Sequence, residues 1–168
     1  MAKNLEIKLK IVDHEQMIEK AKFIGADFIK ELNQKDIYYK YENGLLKLRI
    51  QNGDSELIKY NRDEKSAERW SEYYVLKICD ENPESFFSKL FHVEVIVEKL
   101  RRLFIYKNTR IHVDTVKNLG DFLELETVSQ GNEIESKLEF DEVVAKLGLD
   151  VKSQIRNSYR DLLKNDSV

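Results

Sequence analysis

The chain is poor in residues that cross-link or punctuate a fold. Its 168 residues include one cysteine, one proline, one tryptophan and six glycines. A single thiol excludes an intrachain disulfide framework, and the place of Cys79 in the apolar run Val75-Leu76-Lys77-Ile78-Cys79 predicts a buried structural residue. The lone Pro83 leaves no proline-rich hinge, and no internal repeat or low-complexity stretch is present. No apolar run approaches the ~20 residues of a membrane-spanning helix. The opening Met1-Ala2-Lys3-Asn4-Leu5-Glu6 lacks the apolar stretch of a secretory leader. Positive charge is not in excess either: a net charge of −3 argues against a general nucleic-acid binder. Ser71, Cys79 and the three histidines form no nucleophile–base spacing. These absences predict one domain over residues 1–168, cytoplasmic, with no membrane or nucleic-acid partner; a homodimer is left open.

What the chain does have is charge arranged by strand parity. In Leu5-Glu6-Ile7-Lys8-Leu9-Lys10-Ile11 the charged residues share one strand face and the apolar residues the other. The alternation returns in Leu46-Lys47-Leu48-Arg49-Ile50, Glu98-Lys99-Leu100-Arg101, Arg110-Ile111-His112-Val113-Asp114 and Leu123-Glu124-Leu125-Glu126. One solvated face of an antiparallel sheet would also look like this. Yet cations dominate the earlier strands and glutamates the last, which predicts a cationic face seeded with carboxylates, suited to a polyanion and a divalent metal.

The element signals are local. Asp13 with Gln16 marks a helix start, and Gly25 its stop. Short strands are predicted at 26–32 and 35–41. Turns follow at Asn43-Gly44 and Asn52-Gly53, around strands 45–51 and 55–62. A polar loop at 62–69 precedes a strand at 70–79, and Asn82-Pro83 opens a helix over 83–91. Strands are predicted at 93–100, 102–107, 109–115 and 121–128, then helices at 132–147 and 153–164. Tyr38, Tyr39, Tyr41, Tyr73 and Tyr74 read as packing residues, and His14 and His92 as solvated. His112 shares a face with Arg110 and Asp114, at the tunnel wall or as a plain polar wall residue. Eight to ten strands with interspersed helices is an α+β pattern, and so large an antiparallel sheet tends to close. Closed with its charged face inward, it is a polar tunnel with helices on its apolar outside.

In order and spacing, Glu6-x-Lys8, Gly44-Leu45-Leu46-Lys47-Leu48-Arg49, Leu57-Ile58-Lys59-Tyr60-Asn61-Arg62, Lys99-x-Arg101-Arg102, Arg110-Ile111-His112-Val113-Asp114 and Leu119-Gly120-Asp121-Phe122-Leu123-Glu124-Leu125-Glu126 resemble the CYTH superfamily. These are the triphosphate tunnel metalloenzymes, and the class IV adenylate cyclase-like branch is the nearest in pattern. The resemblance implies a closed eight-stranded antiparallel β-barrel. It implies Mg²⁺ or Mn²⁺ as cofactor and a triphosphate as partner: ATP, thiamine triphosphate or tripolyphosphate. By the same resemblance Glu6, Glu124 and Glu126 hold the metal, and Lys8, Lys47, Arg49, Arg62, Lys99, Arg101 and Arg110 bind substrate. Lys8 and Asp114 are the catalytic candidates, Asp114 as an acid that orients or deprotonates the nucleophile. Lys59 and Arg62 differ in parity, so one of them is expected to point inward.

One position departs. The family signature begins Glu-x-Glu-x-Lys, whereas this chain reads Asn4-Leu5-Glu6-Ile7-Lys8, one carboxylate short. Hydrolysis of the triphosphate is the leading expectation, cyclisation of ATP to cyclic AMP the alternative, and a binding module the third. Truncating Arg49 or Arg101 is expected to weaken binding without loss of stability.

Overall fold

The computed structural model describes the backbone of residues 2–62 and 70–165, and side chains within these except at 2, 3, 61, 62 and 70–72. The chain is α+β, with eight antiparallel strands in one curled sheet and four helices. In order they are β1 (Ala2–Lys10), α1 (His14–Phe23), β2 (Asp27–Tyr39), β3 (Leu45–Gln51), β4 (Asp54–Arg62), β5 (Trp70–Ile78), α2 (Pro83–Leu90), β6 (Val93–Tyr106), β7 (Thr109–Val116), β8 (Gly120–Val128), α3 (Glu133–Leu147) and α4 (Tyr159–Asn165). The spatial order is β1-β5-β4-β3-β2-β6-β7-β8. β1 is hydrogen-bonded to β8 from Asn4 opposite Val128 to Lys10 opposite Phe122, and to β5 from Ala2 opposite Tyr73 to Leu5 opposite Trp70.

Local chemistry accounts for most boundaries. Asp13 caps α1 by accepting from the Gln16 amide at 2.8 Å, and Asn82 caps α2 with Pro83 behind it. Asn52 and Gly53 both adopt positive φ, 50° and 92°, as a tight β3–β4 hairpin requires. Gly148 ends α3 in the left-handed conformation.

Two pairs of expected strands are each one long strand. Segments 26–32 and 35–41 belong to β2, and 93–100 and 102–107 to β6. The polar pairs Asn33-Gln34 and Arg101-Arg102 read as breaks in alternation. Gln34 and Arg101 are tolerated mid-strand because the sheet's inner face is itself polar, while on the outer face Asn33 is exposed and Arg102 pairs with Glu15 and Glu31. The expected helix 153–164 is instead a single 3₁₀ turn, Val151–Ser153, followed by α4. The polar loop expected at 62–69 falls almost wholly on 63–69, outside the described residues.

The apolar strand face points outward and the helices cover it. Leu5, Ile7 and Leu9 of β1, Ile111 and Val113 of β7, and Leu123 and Leu125 of β8 pack with Met17, Ile18 and Ala21 of α1 and Phe140, Val143 and Leu147 of α3. Each of these buried side chains other than Ala21 contributes roughly 1.5–3 kcal/mol of apolar burial. A second cluster sets Ile37, Tyr39, Leu46 and Leu48 against Phe87 and Phe91 at α2. A third closes one end of the sheet, where Tyr159 meets Phe122, Tyr38, Tyr60, Val97 and Val116. Cys79 is exposed, one residue past the end of β5 rather than within the core. Among the described residues Tyr74 is exposed as well, on the face of β5 opposite the cavity-lining Tyr73 and Val75.

Candidate functional site

The charged alternation converges on one cavity of about 470 Å³, to which every strand contributes. Asn4, Glu6 and Lys8 enter from β1, Lys47 and Arg49 from β3, Lys99 and Arg101 from β6, Arg110 and His112 from β7, and Glu124 and Glu126 from β8. Strand parity explains this: residues two apart share a face, and the opposite face is committed to the helices. Lys10 is on the same face, opposite Phe122 in the β1–β8 ladder, but sits exposed at the end of β1 outside the cavity lining, 5.8 Å from the Phe122 ring centroid. Lys59 lies near the Tyr41 ring, while Ile58 and Tyr60 face the cavity. The Arg62 side chain lies outside the described residues.

The cations are held by buried carboxylates, and the main one on β2 was not anticipated. Asp36 is fully buried opposite Arg49 in the β2–β3 ladder. Arg49 donates to it twice, from Nε at 2.7 Å and Nη2 at 2.8 Å. Lys47 donates at 2.8 Å, and Lys99 Nζ lies 3.6 Å away. Burial opposes the charged form of Asp36, but Arg49, Lys47 and Lys99 outweigh it and hold the carboxyl well below the usual range. The signal was present: Asp36 shares parity with Gln34 and Tyr38, both of which line the cavity. Splitting β2 into two short strands hid it.

Arg101 is the second hub. It donates to both oxygens of Asp114, at 2.7 and 2.6 Å, and also to Glu124. Lys8 lies 3.2 Å from Glu124 and donates to the Asn157 carbonyl at 3.0 Å. Asp114 is fully buried and accepts a further bond from the Tyr159 hydroxyl at 2.9 Å. Its oxygens are thus committed to Arg101 and Tyr159, behind the cavity lining. The Tyr159 ring lies against Lys8, 4.0 Å from Nζ to centroid, which places α4's first turn at the cavity mouth.

Burial, reinforced by Arg49 and resisted by Asp36, lowers the Lys47 amine to about 7. Burial and Arg101 lower Lys99 as well, and burial of His112 beside Arg101 brings its imidazole down to about 4. Burial beside the arginines thus disfavours the charged forms of Lys47, Lys99 and His112, while the carboxylates keep Arg49 and Arg101 charged.

The model of the CYTH domain matches residues 2–159. The chain belongs to the CYTH domain family. A protein of Methanocaldococcus jannaschii named "Putative adenylate cyclase" is 33% identical over 172 residues, covering 94% of this chain and 97% of that one. A Pyrococcus horikoshii structure aligns with a TM-score of 0.82 at 28% identity, over 95% of this chain and 98% of that chain. A Hippeastrum protein, described as a "Putative adenylyl cyclase" with a dominant triphosphatase activity, shares the fold with a TM-score of 0.71 at 12% identity, over 99% and 96% of the two chains.

In this CYTH protein one group of possible metal ligands includes a residue that was not among those expected. Among the described residues, ligand atoms of His112, Glu124 and Glu126 lie within 4.8 Å of one another. Glu6 faces the same cavity, opposite Glu126 in the β1–β8 ladder, but is not part of that triad. Two carboxylates and an imidazole on rigid strands fit a divalent cation. Asn4 is also buried on this wall, and its Oδ1 has no hydrogen-bond partner among the described residues. His14, expected to be solvated, is half-buried, with Nε2 2.8 Å from Arg102.

Proposed function

We propose that this protein binds a triphosphate in a closed, basic β-tunnel with the help of a divalent cation, Mg²⁺ or Mn²⁺, and hydrolyses it. The observation that carries the proposal is the convergence of Lys8, Lys47, Arg49, Lys99, Arg101 and Arg110 on one cavity with a glutamate wall on β8. Phosphoryl transfer asks a protein chiefly for positioning and charge neutralisation. Arg49, whose Nε and Nη2 hold Asp36, would offer phosphate its Nη1–Nη2 edge, Arg101 its Nη1, and the lysines compact charge. Lys8, beside Glu124 in the cavity lining, is placed to stabilise charge developing on the transferred group. Asp114 acts through Arg101 as a positioning residue, because its oxygens are taken by Arg101 and Tyr159. Glu124 and Glu126 would hold the cation, with Glu6 across the ladder. Bound there, it would neutralise phosphate oxygens and polarise water.

Water as nucleophile needs no further feature of the chain, and the Hippeastrum protein shows that a triphosphatase activity is compatible with this fold. Cyclisation of ATP is the second reading, favoured by the name of the Methanocaldococcus relative. A binding module is the third, favoured by Asn4 in place of a carboxylate. One experiment separates them: product analysis with ATP and with tripolyphosphate, each with Mg²⁺ and Mn²⁺. Orthophosphate release supports hydrolysis. Cyclic AMP with pyrophosphate replaces it with the cyclase, and binding without product replaces it with the binding module.

A further inference from the structure

The β7–β8 ladder places His112 directly opposite Glu124, with Glu126 opposite the neighbouring Arg110. His112 is 5% exposed, and its Nδ1 has no hydrogen-bond partner among the described residues. The acid nearest to it, Glu126 Oε1, is 3.8 Å away, beyond hydrogen-bond reach. Buried polar atoms nearly always find a partner, so an orphaned ring nitrogen aimed into a carboxylate wall calls for an explanation. Asn4 Oδ1 is an independent second orphan in the same cavity, 4% exposed. Adjacent ligands of one ion, each at about 2.1 Å, lie about 3.0–3.4 Å apart, so a triad whose ligand atoms lie within 4.8 Å of one another closes on an ion by a contraction of at most about 1.8 Å.

We infer that His112 is a nitrogen ligand of the cation held by Glu124 and Glu126, and that this donor set favours first-row transition ions over Mg²⁺. The inference rests on the metal-holding role proposed above for the two glutamates. Mg²⁺ takes oxygen donors and parts reluctantly with its water. Imidazole binds transition ions well, and the neutral Asn4 amide offers a cation less of the purely ionic attraction on which Mg²⁺ depends than a carboxylate would. His112 and Asn4 thus move selectivity in the same direction.

The test is pulsed electron paramagnetic resonance of Mn²⁺ bound to the full chain, with tripolyphosphate present. A directly bonded ¹⁴N signal is expected, changing to the ¹⁵N pattern when the protein is labelled with ¹⁵N-histidine. His14 and His92 do not line the cavity, so the signal reports His112. Calorimetric titration of Co²⁺ and Mg²⁺ into wild type and His112→Gln is the second arm. Co²⁺ affinity should fall roughly tenfold or more in the variant, with Mg²⁺ affinity little changed. Mn²⁺ bound with no histidine nitrogen signal overturns the inference and leaves the glutamate site standing; this is decided on wild type, whether or not the variant folds. Tripolyphosphate bound with no cation at all overturns both.

Discussion

At the scale of single residues, carboxylates behind the cations decide what a mutation does. Arg101 and Asp114 are both buried, and Arg101→Ala would leave a fully buried carboxylate with the Tyr159 hydroxyl as its remaining hydrogen-bond donor among those described. We expect a loss of about 3–5 kcal/mol in urea unfolding, together with weaker triphosphate binding. Arg49→Ala leaves Asp36 with Lys47 and Lys99, so its stability loss should be smaller, about 1–3 kcal/mol. The sequence alone had suggested that both changes would spare stability, because it showed the cations and not the acids paired with them. Lys47 gives a pH signature. Its amine titrates at about 7 in the fold against 10.5 ordinarily. Between those values the unfolded chain holds a proton that the folded chain lacks, so stability should rise with pH across this window and carry the full penalty below it. Lys99, lowered from its ordinary value too, adds in the same direction. Urea midpoints measured from about pH 7 to about pH 10 should rise in wild type and rise less in Lys47→Met.

At the scale of elements, β1, β3, β7 and β8 were legible because one parity is apolar and the other polar. β3 was located to the residue at 45–51, since Leu46 and Leu48 face out while Lys47 and Arg49 face in. β2 and β6 were each divided at a polar pair, because parity arguments presume that a polar side chain marks an edge. In a sheet with a polar inner face it marks the interior. The last helix was the least legible. Its role comes from long-range contacts: Tyr159 reaches Asp114 across 45 positions of sequence, and Ile155 donates its amide to the Lys8 carbonyl at 2.8 Å. Tyr159→Phe keeps the ring and loses the bond to a charged acceptor. It should cost roughly 1.5–3 kcal/mol, read as a lower thermal midpoint, with the far-ultraviolet circular dichroism unchanged.

At the scale of the whole molecule, the cavity is a cationic store held in check by its own acids. A triphosphate should therefore stabilise the fold, by about 2.7 kcal/mol at a hundred times its Kd. In Glu124→Gln, Lys8 and Arg101 lose a competing anion. The thermal shift with tripolyphosphate, measured without metal, should be as large as in wild type or larger, while metal-dependent product release is lost. A smaller shift would place Glu124 in anion binding rather than in cation binding. The sequence by itself determined the α+β class, the strands, and which face of each carries charge, because side-chain alternation is a local property of an extended backbone. It also located the cations and the β8 glutamates that meet in the cavity. Only the tertiary structure decided which charges neutralise which: Asp36 beneath three cations, Asp114 locked to Arg101 and Tyr159, and His112 beside Glu124 and Glu126. Those pairings depend on the register between strands distant in sequence and on the dielectric of a buried site, and neither is written in any single segment of the chain.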